Sequence, residues 1–238
     1  MTSLITLDVD WAPDFILEYV SDLLITNNIK STWFITHKSK YIDHLKQNKH
    51  IELGIHPNFL ENSTQGKTND EILKNLKAIV PNSISVRTHA LSQSTHQMMI
   101  FQKYGLKIDL SLLLYKTKNL EPHYNPMYNL YRIPYFWEDD VEMSESNPDW
   151  SIKKISRFIG LKVYDFHPIH IFLNSPNLDR YNKFKSDIQL EKVNEVNIKK
   201  YVNSGVGTRT FFLDLINELK KGETLTVKDY FNKNMNIK

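Results

Sequence analysis

Short apolar runs alternate with stretches of helical periodicity through the first half of the chain, and this alternation restricts the fold more than any other feature. Residues 4–7 read as a strand, and Asp14 then caps a helix in which Phe15, Tyr19, Leu23 and Leu24 recur at helical spacing until Asn27 and Asn28. Further strands are expected at 32–36, 51–55, 83–86 and 106–109, separated by helices over 40–48, 69–78 and 94–104. Alternation of this kind builds a parallel sheet or barrel, because each helix returns the chain to the end from which the next strand starts. Side chains just past the C-terminal strand ends then share one face, where α/β architectures place their sites.

Polar groups occupy those positions. Asp8 and Asp10 follow the first strand in TLDVDWAPD, His56 follows the third in ELGIHPNF, and Arg87 and His89 follow the fourth in VRTHAL. Two carboxylates one residue apart can divide labour, one holding a metal ion and the other taking a proton from bound water. An aspartate after a strand also serves as a helix cap or turn former. His56 and His89 offer imidazoles of the type that zinc and similar divalent ions accept, with a turn or hydrogen-bonding role as the alternative for either alone. Arg87 is placed to orient Asp8 and hold it as a carboxylate, or to make a surface salt bridge.

With 238 residues and no cysteine, the chain fits one larger domain without disulfides, thiolate nucleophiles or cysteine-ligated zinc. Any metal must sit on histidines and carboxylates. A hydrophobic fraction of 41%, with 12 Tyr and 12 Phe, supplies a core. The formal charge of +3, with lysines scattered among acids, gives no basis for nucleic-acid binding. No apolar run approaches the roughly 18 residues of a membrane span, and the first residues lack the basic, apolar and small-residue regions of a secretory signal, so a soluble, cytoplasmic protein is expected.

In the second half the periodicity fails over 114–150, which is rich in Tyr, Asn and Pro and carries one expected strand at 128–133. Long connections of this kind commonly cover sites. Within it, RIPYFWEDD sets Tyr135, Phe136 and Trp137 before Glu138 and two aspartates. Aromatic faces beside carboxylates suit a sugar ring and its hydroxyls, and a core aromatic cluster with an acidic turn is the other reading. A strand at 161–166 ends in DFHPIHI, where a protonated His167 would donate to a leaving amine and His170, opening an apolar run, reads as a packing residue. A mixed segment over 179–200, a GVGT turn with Arg209 that would close over a substrate anion, and a helix over 210–220 complete the chain. There is no internal repeat.

Taken in order, TLDVDW, ELGIHPN, VRTH and DFHP resemble the polysaccharide deacetylases of carbohydrate esterase family four, the NodB-homology fold. The strings GIHPNFL, RIPYFWEDD and DFHPIHIF are most similar to its WbmS-like subgroup, associated with O-antigen and surface-polysaccharide loci, and the resemblance spans residues 4–173. It implies a single α/β domain over 1–238, a distorted (β/α) barrel with irregular cover segments at about 114–150 and 174–208. It also implies metal-dependent hydrolysis of an N-acyl or O-acyl group on a sugar. The expected substrate is an N-acetyl, or N-formyl, amino sugar linked to a nucleotide or a lipid. By position Asp8 would be the base, Asp10 and His56 metal ligands, His167 the acid and Arg87 the partner of Asp8. Tyr135, Trp137, Glu138 and Arg209 are the expected substrate contacts. The metal would be Zn2+, with Ni2+, Co2+ or Mn2+ as alternatives.

One position departs from the family pattern. A second metal histidine usually stands four residues after the first, and Leu60 is there. His89, where relatives carry a proline after the motif arginine, is expected to supply the third ligand, ahead of Gln65, whose neutral amide binds zinc weakly. Arg132 in RIPY also looks like the motif arginine but comes too late in the chain, so that role goes to Arg87. A chain lacking a third ligand would be a noncatalytic carbohydrate-binding or assembly protein on the same fold.

Overall fold

The computed structural model describes residues 2–189 and 192–235. Parallel strands β1 (Ser3–Asp8), β2 (Ser31–Ile35), β3 (Ile51–Ile55), β4 (Ser85–Val86) and β5 (Ile108–Asp109) lie side by side in chain order. They are joined by α1 (Asp14–Thr26), α2 (Lys40–Leu45), α3 (Asn69–Ile79) and α4 (Thr95–Lys103). Three of these helices start at hydroxyl caps, Ser39, Thr68 and Ser94, each accepting from the backbone amide three residues on.

The segment 114–150, irregular by sequence, carries β6 (His123–Asn125), β7 (Leu130–Arg132), β8 (Trp137–Glu138) and α5 (Asp139–Ser144). Strands of two or three residues are too short to display a period of two, which is why the sequence pattern shows only part of them. After α6 (Ile152–Ile155), β9 (Lys162–Phe166) pairs in parallel with β1, and α7 (Pro168–Leu173), α8 (Leu178–Asp187), α9 (Thr208–Leu219) and α10 (Val227–Asn234) follow.

The stretch from β7 to β8 closes the structure. Amides of Tyr131, Ile133 and Tyr135 donate to Lys107, Asp109 and Leu112, on the β5 side. The amide of Phe136 then donates to Val163, and β8 pairs with β9. The sheet order β6-β7-β5-β4-β3-β2-β1-β9-β8 therefore describes a ring, because the strands near its two ends are one bent stretch of chain broken at Pro134. This is a distorted (β/α) barrel.

Alternation along the strands sorts side chains between two cores. Leu4, Phe34, Ile108, Ile133, Tyr135 and Val163 belong to one cluster inside the ring, and Leu225, Val227 and Phe231 close it at the N-terminal strand ends. The ring is narrow: a Cβ on Gly54 would lie 2.6 Å from the Phe34 ring and 2.8 Å from Ser85 Oγ. The larger cluster, including Leu7, Val9, Ile16, Val20 and Trp33, lies between the strands and the helices. No helix among the described residues is long and apolar enough to cross a membrane.

Candidate active site

The same alternation aims the polar residues. Leu4 and Thr6 precede Asp8 on the inward row of β1, Glu52 and Gly54 precede His56 on β3, Ser85 precedes Arg87 and His89 on β4, and Val163 and Asp165 precede His167 on β9. Each inward row ends at the C-terminal rim, and the rows converge on a cavity of about 150 Å³. Asp8, Asp10, His56, His89, Tyr135, Glu138, Asp140 and His167 line it.

Asp10 Oδ1 lies 3.2 Å from His56 Nε2 and 3.2 Å from His89 Nδ1, and the two nitrogens are 3.3 Å apart. Around a tetrahedral ion with bonds of about 2.0 Å, neighbouring ligand atoms stand about 3.3 Å apart, so this triangle fits a divalent ion. Asp10 Oδ1 is buried without a hydrogen-bond partner, as a metal-ligating oxygen would be. Burial would raise the Asp10 carboxyl, but the adjoining His56 and His89 hold it well below the usual carboxylate range. The adjoining Asp10 carboxylate raises His89.

Two left-handed backbone pairs frame the triangle: Asp10 and Trp11 at φ 42° and 56°, and Ala90 and Leu91 at φ 51° and 52°. Such conformations cost on the order of 1–3 kcal/mol each and persist where surrounding contacts enforce them. Here the Trp11 amide donates to Thr36 Oγ1 and the His89 amide to the Pro57 carbonyl.

Gln65 does not join this cluster. Its Nε2 donates to the carbonyls of Thr36 and His56, and its Oε1 accepts from the Asn58 amide, so the side chain staples the ends of β2 and β3. Leu60 is 48% exposed on the adjoining loop.

Arg87 is buried, which excludes a surface salt bridge. Its Nη1 donates to Asp8 Oδ1 at 3.0 Å and to Asp165 Oδ1, Nη2 donates to Thr6 Oγ1, and Nε donates to the Leu110 carbonyl. The guanidinium carbon sits 4.7 Å from the Phe34 ring centre and 4.5 Å from that of Tyr135. Burial would lower its pKa, and the charges of Asp165 and Asp8 override that and raise it. Asp8 Oδ2, on the other side of the carboxylate, is 3.6 Å from His56 Nε2. Arg132 lies elsewhere, bonded to Asp109.

His167 is fixed twice by Asp139: its amide donates to Oδ2 at 2.9 Å, and its Nδ1 is 2.7 Å from Oδ1. Its Nε2 faces the cavity, 3.7 Å from Asp10 Oδ2. Burial would lower this imidazole, but Asp140 and Asp139 drive it well above its ordinary value, which favours the protonated form. Glu138 accepts from Tyr135 Oη at 3.0 Å and is pushed up to about 7 by burial. His170 is buried as a packing residue would be, but both of its ring nitrogens also meet polar partners, Asp140 and Ser175.

Two expected substrate contacts lie away from the cavity. Trp137 is fully buried, stacks on Phe211 at 4.5 Å and donates to Glu142 Oε2, because β8 turns its outward row into the core between sheet and helices. Arg209 bonds Tyr19 Oη and the Phe172 carbonyl. The amides at the start of α9 that an anion would need are taken by Asn174 Oδ1, bonded from Arg209 and Thr210. Asp139 and Asp165 join the site without standing out in the sequence. The acidic run after Trp137 hinted at the first, and the inward parity of DFHP, two residues before His167, at the second.

A family model for WbmS-like polysaccharide deacetylases matches residues 5–185. The chain belongs to that family. Among solved structures, a Bordetella bronchiseptica protein, WbmS, assigned as a polysaccharide deacetylase involved in O-antigen biosynthesis, is 31% identical to this WbmS-like chain. That match covers 91% of this chain and 90% of the other, with a TM-score of 0.79. Two remoter structures share the fold alone. A family 4 acetyl xylan esterase of Clostridium thermocellum, in complex with a cobalt ion, is 11% identical over 98% of this chain and 91% of its own, with a TM-score of 0.51. A 4-alpha-glucanotransferase of Thermococcus litoralis is 10% identical over 98% of this chain and 38% of its own, with a TM-score of 0.55. Comparison with curated protein sequences gives no match.

Proposed function

We propose that this WbmS-like chain is a divalent-metal-dependent hydrolase that removes an N-acyl group, acetyl or formyl, from an amino sugar of a surface-polysaccharide or O-antigen precursor. The observation that carries the reading is the Asp10–His56–His89 triangle with Asp8 Oδ2 beside it and His167 Nε2 facing it. The relative from Bordetella, described as involved in O-antigen biosynthesis, supports the biological setting.

Asp10, His56 and His89 would hold the ion, and a set of two nitrogens and one oxygen suits Zn2+ first, with Ni2+, Co2+ or Mn2+ as alternatives. When bound, the ion supplies Lewis acidity to a water and to the acyl oxygen. Asp8 is the base: Arg87 occupies Oδ1 and leaves Oδ2 on the cavity side to take the proton of the attacking water. His167 is the acid, delivering its Nε2 proton to the departing nitrogen while Asp139 holds Nδ1. Whole small-molecule sites occupy roughly 300–1,000 Å³. At about 150 Å³ this cavity admits an acyl substituent, with the sugar ring at its mouth. Tyr135 and Glu138 form its wall.

The test is metal content by mass spectrometry for wild type, His56→Ala and His89→Ala, alongside acyl release from nucleotide-linked and lipid-linked N-acyl amino sugars. Stoichiometric metal in wild type, its loss in both variants and release of acetate or formate are expected. A metal-free protein that still binds the acylated sugar would instead be a noncatalytic binding or assembly protein on the deacetylase fold.

A further inference from the structure

Two adjacent aspartates at the start of α5 meet two histidines one helical turn apart at the start of α7. Asp139 holds His167. Its neighbour Asp140 places Oδ1 2.7 Å from His170 Nε2. His170 Nδ1 in turn lies 3.1 Å from Ser175 Oγ, and its ring stands edge-on to Tyr181 at 4.3 Å. His170 is buried with both nitrogens engaged, so its part is to anchor Asp140.

The Asp140 side chain is 44% exposed, and the residue lines the cavity. Its Oδ1 is buried against the imidazole, so the exposed part of the carboxylate is Oδ2, and an Asp140 oxygen lies within 4.8 Å of ring nitrogens of His167 and His170. The neighbouring charges are already matched: Asp8 with Arg87, Asp10 with two imidazoles, His167 with Asp139. Burial would raise the Asp140 carboxyl, but the charges of His167 and His170 hold it well below the usual range. It is therefore a carboxylate at neutral pH.

We infer that Asp140 selects nitrogen over oxygen leaving groups, by receiving the released amino group as an ammonium ion. The inference rests on the deacylation reading above. In that reaction the water oxygen bonds to the acyl carbon, one water proton goes to Asp8, and the C–N bond breaks. The nitrogen keeps the electron pair and takes the His167 proton, and the proton on Asp8 returns to His167. The acid product gives up its remaining proton, and the amine takes it up, so amide and water become carboxylate and ammonium. An ester releases a neutral alcohol in the same sequence. Ammonium and carboxylate form a charge-assisted hydrogen bond roughly twice as strong as a neutral one, so Asp140 favours the nitrogen product and the charge growing on nitrogen before it.

The experiment compares kcat/KM for an N-acetyl amino sugar and for the O-acetyl ester of the same sugar, using zinc-loaded full-length wild type, Asp140→Asn and Asp140→Glu. Asp140→Asn should slow both reactions, because Asp140 helps His167 hold its proton, and should lose about tenfold more on the amide than on the ester, a differential of about 1.4 kcal/mol. Asp140→Glu should recover part of the amide rate. Equal losses on both substrates, or no loss on the amide, would overturn the inference. Calorimetry supplies a reading that needs no turnover: wild type should bind the free amino sugar more tightly than the sugar bearing hydroxyl in its place, and Asp140→Asn should lose that preference. Absence of the preference in wild type also overturns it. An inactive wild type that keeps the preference would mark failure of the deacylase reading alone.

Discussion

Asp8 and Asp10 differ by one residue of backbone and have unequal surroundings: a guanidinium binds the first, two imidazoles flank the second. Asp8→Asn should therefore keep the metal while turnover falls by about 10²–10⁴, read by metal analysis beside steady-state rates. Metal loss in that variant would mean the two roles are exchanged. Asp139→Asn should likewise leave metal content unchanged and lower kcat by about 10²-fold or more, since Nδ1 of His167 loses its anionic partner. An unaltered kcat would remove His167 as the acid. Arg87 answers to stability as well as chemistry. Arg87→Met leaves Asp8 and Asp165 buried without their cation, which costs about 3–5 kcal/mol and should lower the thermal midpoint by roughly 10 °C. At this scale the sequence was most legible for residues that follow a clear strand, such as His56. Asp139 was hidden because it reaches His167 from another element, and nothing in local spacing links positions 139 and 167.

Elements were legible in proportion to their length. The strands of five or six residues and their amphipathic helices announce themselves by periodicity, whereas β6 and β8, of three and two residues, do not. The closing stretch RIPYFWE is the clearest case. Read along the sequence it is an aromatic run before acids, suited to a sugar. In the barrel its residues alternate between an interior wall, with Tyr135 over Arg87, and the outer core, with Trp137 against Phe211. Trp137→Ala should accordingly destabilise the fold by about 3–5 kcal/mol while leaving KM within about twofold at a temperature where the variant is folded. A large rise in KM without loss of stability would restore Trp137 as a sugar contact.

For the whole molecule, the two ends of the barrel have opposite characters. The C-terminal rim gathers the ligand atoms of Asp10, His56 and His89, and the N-terminal end is sealed by α10, whose amides at Val227 and Lys228 donate to Thr32 Oγ1 and Glu52 Oε2. Burial raises the Glu52 carboxyl above its ordinary value of 4.5, so the folded state keeps that proton to higher pH than the unfolded chain. Its contribution to stability is complete below 4.5 and declines as pH rises through the elevated folded value. Glu52→Gln removes this titration, and thermal midpoints at acid and neutral pH should move in the variant's favour as pH rises. A pH-independent difference would refute the assignment. The sequence by itself determined the βα alternation, the metal chemistry available without cysteine, and the residues at the rims of the longer strands, because all of these depend on local period and residue type. Tertiary structure alone decided that a stretch bent at Pro134 closes the ring, that His89 and not Gln65 stands with Asp10 and His56, and that Trp137 and Arg209 lie off the cavity that these three line. Those outcomes depend on which distant strands become neighbours, and a one-dimensional pattern carries no distance between them.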